Sequence, residues 1–229
     1  EEKGFDCKVL PSFRPDKALN IHLSGFSDYI KALGKAANIE INSYKDVISA
    51  LLNRVDYFNE VGCKISDQAF DYVPFRTADD DEIEAVFQKA MRDEPVSQAE
   101  GDIYRTPVLL ALGEKYHNLD WAMEIHIGAM RNNSTRLFNK LGPDVGFDSV
   151  CDCEIAEKLS RFMDALDVRG VLPKTILFNL NDKDNTVLAT MLGNFQGTEA
   201  ESKIQFGPAW WFLDTMDGMT NQMKALGNL

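Results

Sequence analysis

Six side chains carry the chemistry that the sequence offers: Arg14, Asp67, His126, Arg131, Asn179 and Trp211. Guanidinium groups fork onto carboxylates, an acid and an amide bind hydroxyls, and an indole face packs against a sugar ring. An imidazole moves a proton near neutral pH. Together these groups suit a small acidic carbohydrate. Each also has a structural reading. Arg14 precedes Pro15 and can tie its turn to a neighbouring carboxylate, and His126 with Glu124 can form a satisfied buried pair. Arg131, ahead of a helix capped by Asn133 or Ser134, can be a solvated surface residue. Asn179 and Asn181 fit turn and cap positions, and Trp210-Trp211 can pack beneath a helix. What favours function is a shared position, because all of these residues fall at the same end of β-like runs.

Those runs must position them. Five are legible, Lys8-Phe13, Cys63-Ser66, Trp121-Ile127, Thr175-Leu180 and Lys203-Phe206, and they alternate with helical patterns as in an α/β domain with a parallel sheet. Tyr44, Val47, Ile48, Leu51, Leu52, Val55 and Phe58 keep helical spacing behind a Ser43/Asp46 capping pair. A helical insertion is expected over about 78–116, with Ser97 and Glu100 marking a second helix start. Further helices are expected around Ile155–Leu166 and Val187–Leu192, the latter capped by Asn181. Within Trp121-Gly128, Trp121, Met123, Ile125 and Ile127 oppose Ala122, Glu124, His126 and Gly128. In Thr175-Asn181, Ile176, Phe178 and Leu180 oppose Thr175, Leu177, Asn179 and Asn181. A sheet covered by helices on one face and lining a polar lumen on the other gives such strands, which favours a (β/α) barrel over a doubly wound sheet. The predicted architecture is one domain over 1–229, an incomplete (β/α) barrel whose chemistry sits at the carboxyl ends of its strands.

Composition narrows the partners. The chain has 229 residues, 45% of them hydrophobic, enough for a sizeable core, and a formal net charge of -12 that argues against nucleic acid and anionic lipid surfaces. No apolar run is long enough to span a bilayer. The four cysteines, Cys7, Cys63, Cys151 and Cys153, form no CxxC pattern and are expected to be buried thiols of a reducing, cytoplasmic compartment.

Longer motifs add a resemblance. FRPDKALNI (13–21), GCKISD (62–67), MEIHIGAMRNNSTRLFNKLGPDVGFDS (123–149), LPKTILFNLNDKDNTVLATMLGNFQG (172–197) and IQFGPAWWFLDTMDGM (204–219) are similar to uronate (glucuronate) isomerase. That family belongs to the amidohydrolase superfamily of (β/α)8 barrels and interconverts D-glucuronate with D-fructuronate and D-galacturonate with D-tagaturonate. The resemblance places His126 and Arg131 at the active site and implies substrate contacts for Arg14 and Trp211; Asp67 and Asn179 join them as hydroxyl-binding candidates. It maps the chain onto barrel strands three to seven, with strands one, two and eight absent, so that the 229-residue chain alone is expected to be inactive. Gln68 stands where family members often carry histidine. The family's divalent metal, commonly zinc, is held by an HxH pair after the first strand and an Asp after the eighth. The histidines here are His22, His117 and His126, so no metal ligand of that set is expected in this chain and no cofactor is expected to stay bound to it. Rival readings are a metal-dependent amidohydrolase-like hydrolase and a non-catalytic sugar-acid binding module. The expected partner is a small uronate, with homo-oligomers through open barrel edges.

Overall fold

The computed structural model describes residues 7–228. In chain order its helices are α1 (Asp16–Leu19), α2 (Phe26–Ala37), α3 (Tyr44–Glu60), α4 (Asp80–Met91), α5 (Gln98–Asn118), α6 (Thr135–Leu141), α7 (Ala156–Asp167), α8 (Asn185–Leu192) and α9 (Met216–Gly227). The strands are β1 (Ile65–Phe70), β2 (Ala122–Ile127), β3 (Ala129–Met130), β4 (Ser149–Val150), β5 (Lys174–Asn179) and β6 (Ile204–Phe206). Strands β1, β2, β5 and β6 form a parallel sheet in that order, an arc of a (β/α) barrel. β3 and β4 form a small antiparallel ribbon that the sequence did not announce.

Local chemistry explains where the helices begin. Ser43 and Asp46 close a reciprocal capping box on α3, and Ser97 with Glu100 closes another on α5, each satisfying backbone N–H groups that the first helical turn leaves free. Lys89 and the Ser97 cap pull the Glu100 carboxyl down to about 2. Asn181 was expected to cap α8, but it accepts from Lys183 N and caps the short 3-10 turn Asp182–Asp184 instead, and α8 starts after Asp184 with no side-chain cap. Helix α5 buries most of its surface, including Tyr104, Leu109, Leu112 and Tyr116, and has contacts with α1, α3, α4, α7 and β2. The core gathers behind the sheet, where Trp121, Met123, Ile125 and Ile127 are buried and Tyr116 stacks on Trp121 with ring centroids 5.7 Å apart.

Three expectations need correction. Lys8-Phe13 is not a strand: Phe13 alone bridges to Ser66, while Val9 and Leu10 are exposed and Pro11 brings no N–H to a ladder. The thiols are not all buried: Cys151 pairs with Cys153 in a disulfide and Cys7 is exposed, leaving Cys63 as the buried thiol. The faces of β5 are also the reverse of the expected ones. Glu124 aligns with Ile176 and His126 with Phe178, and residues level in neighbouring strands share a face, so Ile176 and Phe178 enter the lumen. Thr175, Leu177 and Asn179 turn to the helix layer, where Thr175 donates to Pro173 O and Asn179 donates to Asn181 O and Asn185 Oδ1. Those hydrogen bonds satisfy Thr175 and the Asn179 amide nitrogen, while Asn179 Oδ1 has no partner among the described residues.

Two glycines fix the upper rim. Gly128, at φ +104, turns the chain out of β2 and into the ribbon; its N–H donates to Phe70 O and its carbonyl accepts from Cys151 N. Gly207 lies against the Phe178 ring so closely that a Cβ would overlap it. Because Phe178 stacks on His126, Gly207→Ala is expected to destabilise the fold by about 1–3 kcal/mol and to displace the His126 ring. Denaturant melts and the His126 imidazole resonances would check both effects; an unchanged melt would show that the ring yields freely.

Candidate active site

Asp67, in the middle of β1, and His126, near the carboxyl end of β2, meet Arg14, which enters from the turn before α1. Arg14 Nη2 lies 2.8 Å from Asp67 Oδ2 and its Nε 3.5 Å from Asp16 Oδ2. His126 Nδ1 lies 3.0 Å from Asp67 Oδ1, yet neither atom completes a hydrogen bond among the described residues, so the approach is oblique. The partner of His126 is thus Asp67 on the neighbouring strand rather than Glu124 on its own. Phe178 stacks on the imidazole at 4.3 Å with planes 8° apart, and Trp210 meets it edge-on at 4.8 Å. The ring is clamped on two sides.

Electrostatics divides the carboxylates. Burial pushes Asp67 upward, but His126 and Arg14 outweigh it and hold the group below the ordinary carboxylate range. Burial dominates at Asp16 and Glu124 and pushes both up. Ionised Glu124 is therefore disfavoured by the fold: it is neutral below its unfolded value of about 4.3, and it costs stability as pH rises through its raised folded value. Glu124→Gln is expected to raise the melting temperature at pH 7 and to lose that advantage near pH 4; a variant less stable at neutral pH would reverse the assignment.

A cavity of about 440 Å³ opens above these groups, lined among others by Arg14, Asp16, His22, Arg105, His126, Arg131 and Trp210. Arg131 follows the β3 segment and reaches Asp144 at 3.2 Å and Asp148 at 3.4 Å, and Asp148 also accepts from Asn132 N. Its guanidinium lies 5.1 Å from the centre of the Trp211 ring. Arg14, Asp67, His126 and Arg131 thus converge, whereas Asn179 stays behind the sheet. Trp211 borders an adjoining depression of about 270 Å³ with Arg131, and Trp210 occupies the main cavity. The left-handed φ of +48° at Trp211 explains this division, since it turns the second indole away from the course of the first. Alternation along the strand could not have shown it. His22, Arg105 and Phe178 were missed as well; Arg105 lies in mid-helix and gave no signal.

Asp67, Glu124 and His126 offer three donor atoms within 4.8 Å of one another. The buried Asp67 Oδ1 and His126 Nδ1 lack hydrogen bonds among the described residues, so the set fits one face of a divalent cation, with the Arg14 charge opposing it. The sequence reading did not assemble this trio.

Comparisons with known proteins agree with one another. The profile of the family described as glucuronate isomerase matches residues 1–229. The uronate isomerase of Clostridium acetobutylicum is 52% identical over 229 residues, covering all of this chain and 49% of the relative. That of Caldanaerobacter subterraneus is 49% identical over the same 229 residues, again 49% of its length. The crystal structure of uronate isomerase from Thermotoga maritima superposes with a TM-score of 0.87 at 29% identity, over 96% of this chain and 47% of that one. Glucuronate isomerase from Caulobacter crescentus shares the fold, with a TM-score of 0.83 at 24% identity over 96% of this chain and 44% of that one. The chain spans about half the length of the curated relatives it matches. Matched along its whole length by the family profile, it belongs to the glucuronate isomerase family.

Proposed function

We propose that the natural full-length protein is a uronate isomerase that interconverts aldose and ketose hexuronates, glucuronate with fructuronate and galacturonate with tagaturonate. The observation that carries this reading is the convergence of Arg14, His126 and Arg131 on one cavity above the parallel sheet, with Asp67 lying between Arg14 and His126.

In this proposal a proton moves between C1 and C2 of the open-chain sugar through an enediol. Arg131 binds an anionic oxygen of the substrate, replacing its contacts to Asp144 and Asp148. His126, its plane fixed by Phe178 and Trp210, holds a proton at a substrate oxygen, and Asp67 orients the ring while Arg14 keeps that carboxylate ionised. Trp211 borders the sugar from the side of Arg131. A divalent cation, when bound, polarises a substrate oxygen; the donors that this chain would lend are Asp67, Glu124 and His126. The same donors favour a metal-dependent hydrolase as the second reading, since a cation there could activate water.

Membership of the amidohydrolase superfamily, a place in hexuronate breakdown and a cytoplasmic location belong to the proposal. Among the described residues no helix is long and apolar enough to cross a membrane, which agrees with that location. Association through the outer edge of β6 is proposed too, because that edge pairs with no strand among the described residues. A coupled assay with glucuronate and galacturonate tests the activity, and light scattering tests the association. Turnover of an amide or ester with neither uronate converted would favour the hydrolase.

A further inference from the structure

The cavity has a third guanidinium, and its surroundings differ from those of Arg14 and Arg131. Arg105 sits in the middle of α5 with 5% of its surface exposed, yet it lines the cavity. Its Nε donates to Gly101 O at 3.2 Å and its Nη2 donates to the Tyr72 hydroxyl at 3.0 Å. Gly101 leaves the room this requires: a Cβ there would stand 2.9 Å from Nη2. These contacts aim the group and hold it in one place.

They do not include a close ion pair. The nearest carboxylate, Asp102, is 3.6 Å from Arg105 Nη2, and Lys158 occupies its other oxygen at 2.6 Å. The Tyr72 hydroxyl donates to Asp102 at 2.7 Å. Two cations therefore share Asp102, and Asp71 on the cavity wall is the second carboxylate that acts on Arg105; of the two cations only Arg105 is buried, while Lys158 is 40% exposed and screened by solvent. A buried guanidinium whose ion pair to Asp102 is long and shared with Lys158, fixed in a cavity wall, is suited to an anion that arrives with its own charge. Asp71 and His22 are exposed on the same cavity wall, so the anion must approach past a carboxylate, which favours a ligand that also makes contacts at Arg14 and Arg131.

We propose that Arg105 recognises the carboxylate of the sugar acid and so selects acids over neutral sugars, a specificity role for a residue of the helical insertion. The substrate class rests on the uronate isomerase reading; the anion preference does not. The network behind Arg105 acts through it, since Tyr72 and Asp102 orient the fork.

The test measures equilibrium binding of D-gluconate, a six-carbon acid that cannot isomerise, and of the neutral D-sorbitol by calorimetry on the natural full-length protein. Arg105→Gln is expected to weaken gluconate at least ~10-fold and leave sorbitol unchanged. Arg105→Lys keeps the charge but loses the fork, and a loss of at least ~3-fold is expected with a melting temperature close to the parent's. Should the glutamine variant fail to fold, the lysine variant decides. Unchanged gluconate binding in the folded variants, or no preference for gluconate over sorbitol in the parent, overturns the proposal. A parent that isomerises uronates while the Arg105 variants bind normally would sink this inference alone. A parent that binds gluconate through Arg105 but converts no uronate would sink the isomerase reading alone.

Discussion

Replacing Arg131 with alanine in the natural full-length protein is expected to lower kcat by at least ~10²-fold while leaving the fold intact, the scale of losing one charged contact to developing charge. The expectation rests on the position of the guanidinium, held over Trp211 by Asp144 and Asp148 at the mouth of the cavity. Its side chain is 40% exposed, so removing it empties no core and should barely move the melting temperature. Lysine should rescue poorly, because an ammonium cannot fork onto two oxygens or lie flat on an indole. Steady-state kinetics with glucuronate check the effect, and near-normal turnover would return Arg131 to the role of a surface residue.

Asp67→Asn should produce a loss of similar size, about 10²-fold or more in kcat, for a different reason. The substitution preserves shape but removes the charge that faces both Arg14 and His126. Because Asp67 and His126 are proposed to act as a unit, the double variant Asp67→Asn with His126→Asn should be little worse than the poorer single one. Independent roles would instead multiply the two losses. The pH dependence has a defined sign. With its folded value depressed, Asp67 contributes stability that is fully present above about pH 4 and is lost as pH falls through that lower value. The parent should therefore lose more stability than Asp67→Asn on acidification below about pH 4, and parallel losses would contradict the pairing.

Helices α3, α4, α5, α6, α7 and α8 were legible because their signals are local, whereas α2 and α9 were not anticipated. A serine and an acid three residues apart ahead of an apolar stripe mark α3 and α5, and both boxes are formed. The central strands were legible too, β2 within a residue of its expected start, since alternation reports burial on one face. Alternation does not report which face is the lumen. The polar parity of β5 was read as facing the lumen, but the register against β2 sends Asn179 to the helix layer, where Asn181 and Asn185 satisfy its amide nitrogen. Lys8-Phe13 had apolar content and no partner to bury it against. At the site, His126 was legible near the end of β2 and Arg131 in the segment that follows, whereas Arg14 follows no strand and Asp67 sits in the middle of β1, which runs from Ile65 to Phe70 instead of over the expected Cys63-Ser66. Which indole of the Trp210-Trp211 pair enters the main cavity was not legible, and Arg105 and the Asp67–His126 contact are set by long-range packing, which no spacing within one element encodes.

The most direct test of the proposed isomerase is proton NMR of D-glucuronate incubated in D₂O with the natural full-length protein, alongside its Arg131→Ala and Asp67→Asn variants. The account predicts conversion to fructuronate, deuterium entering at the carbons that exchange the proton, and near abolition of both in the two variants. Conversion that persists at the parent's rate in both variants would contradict the placement of the site, and a parent that converts no uronate would contradict the proposed reaction.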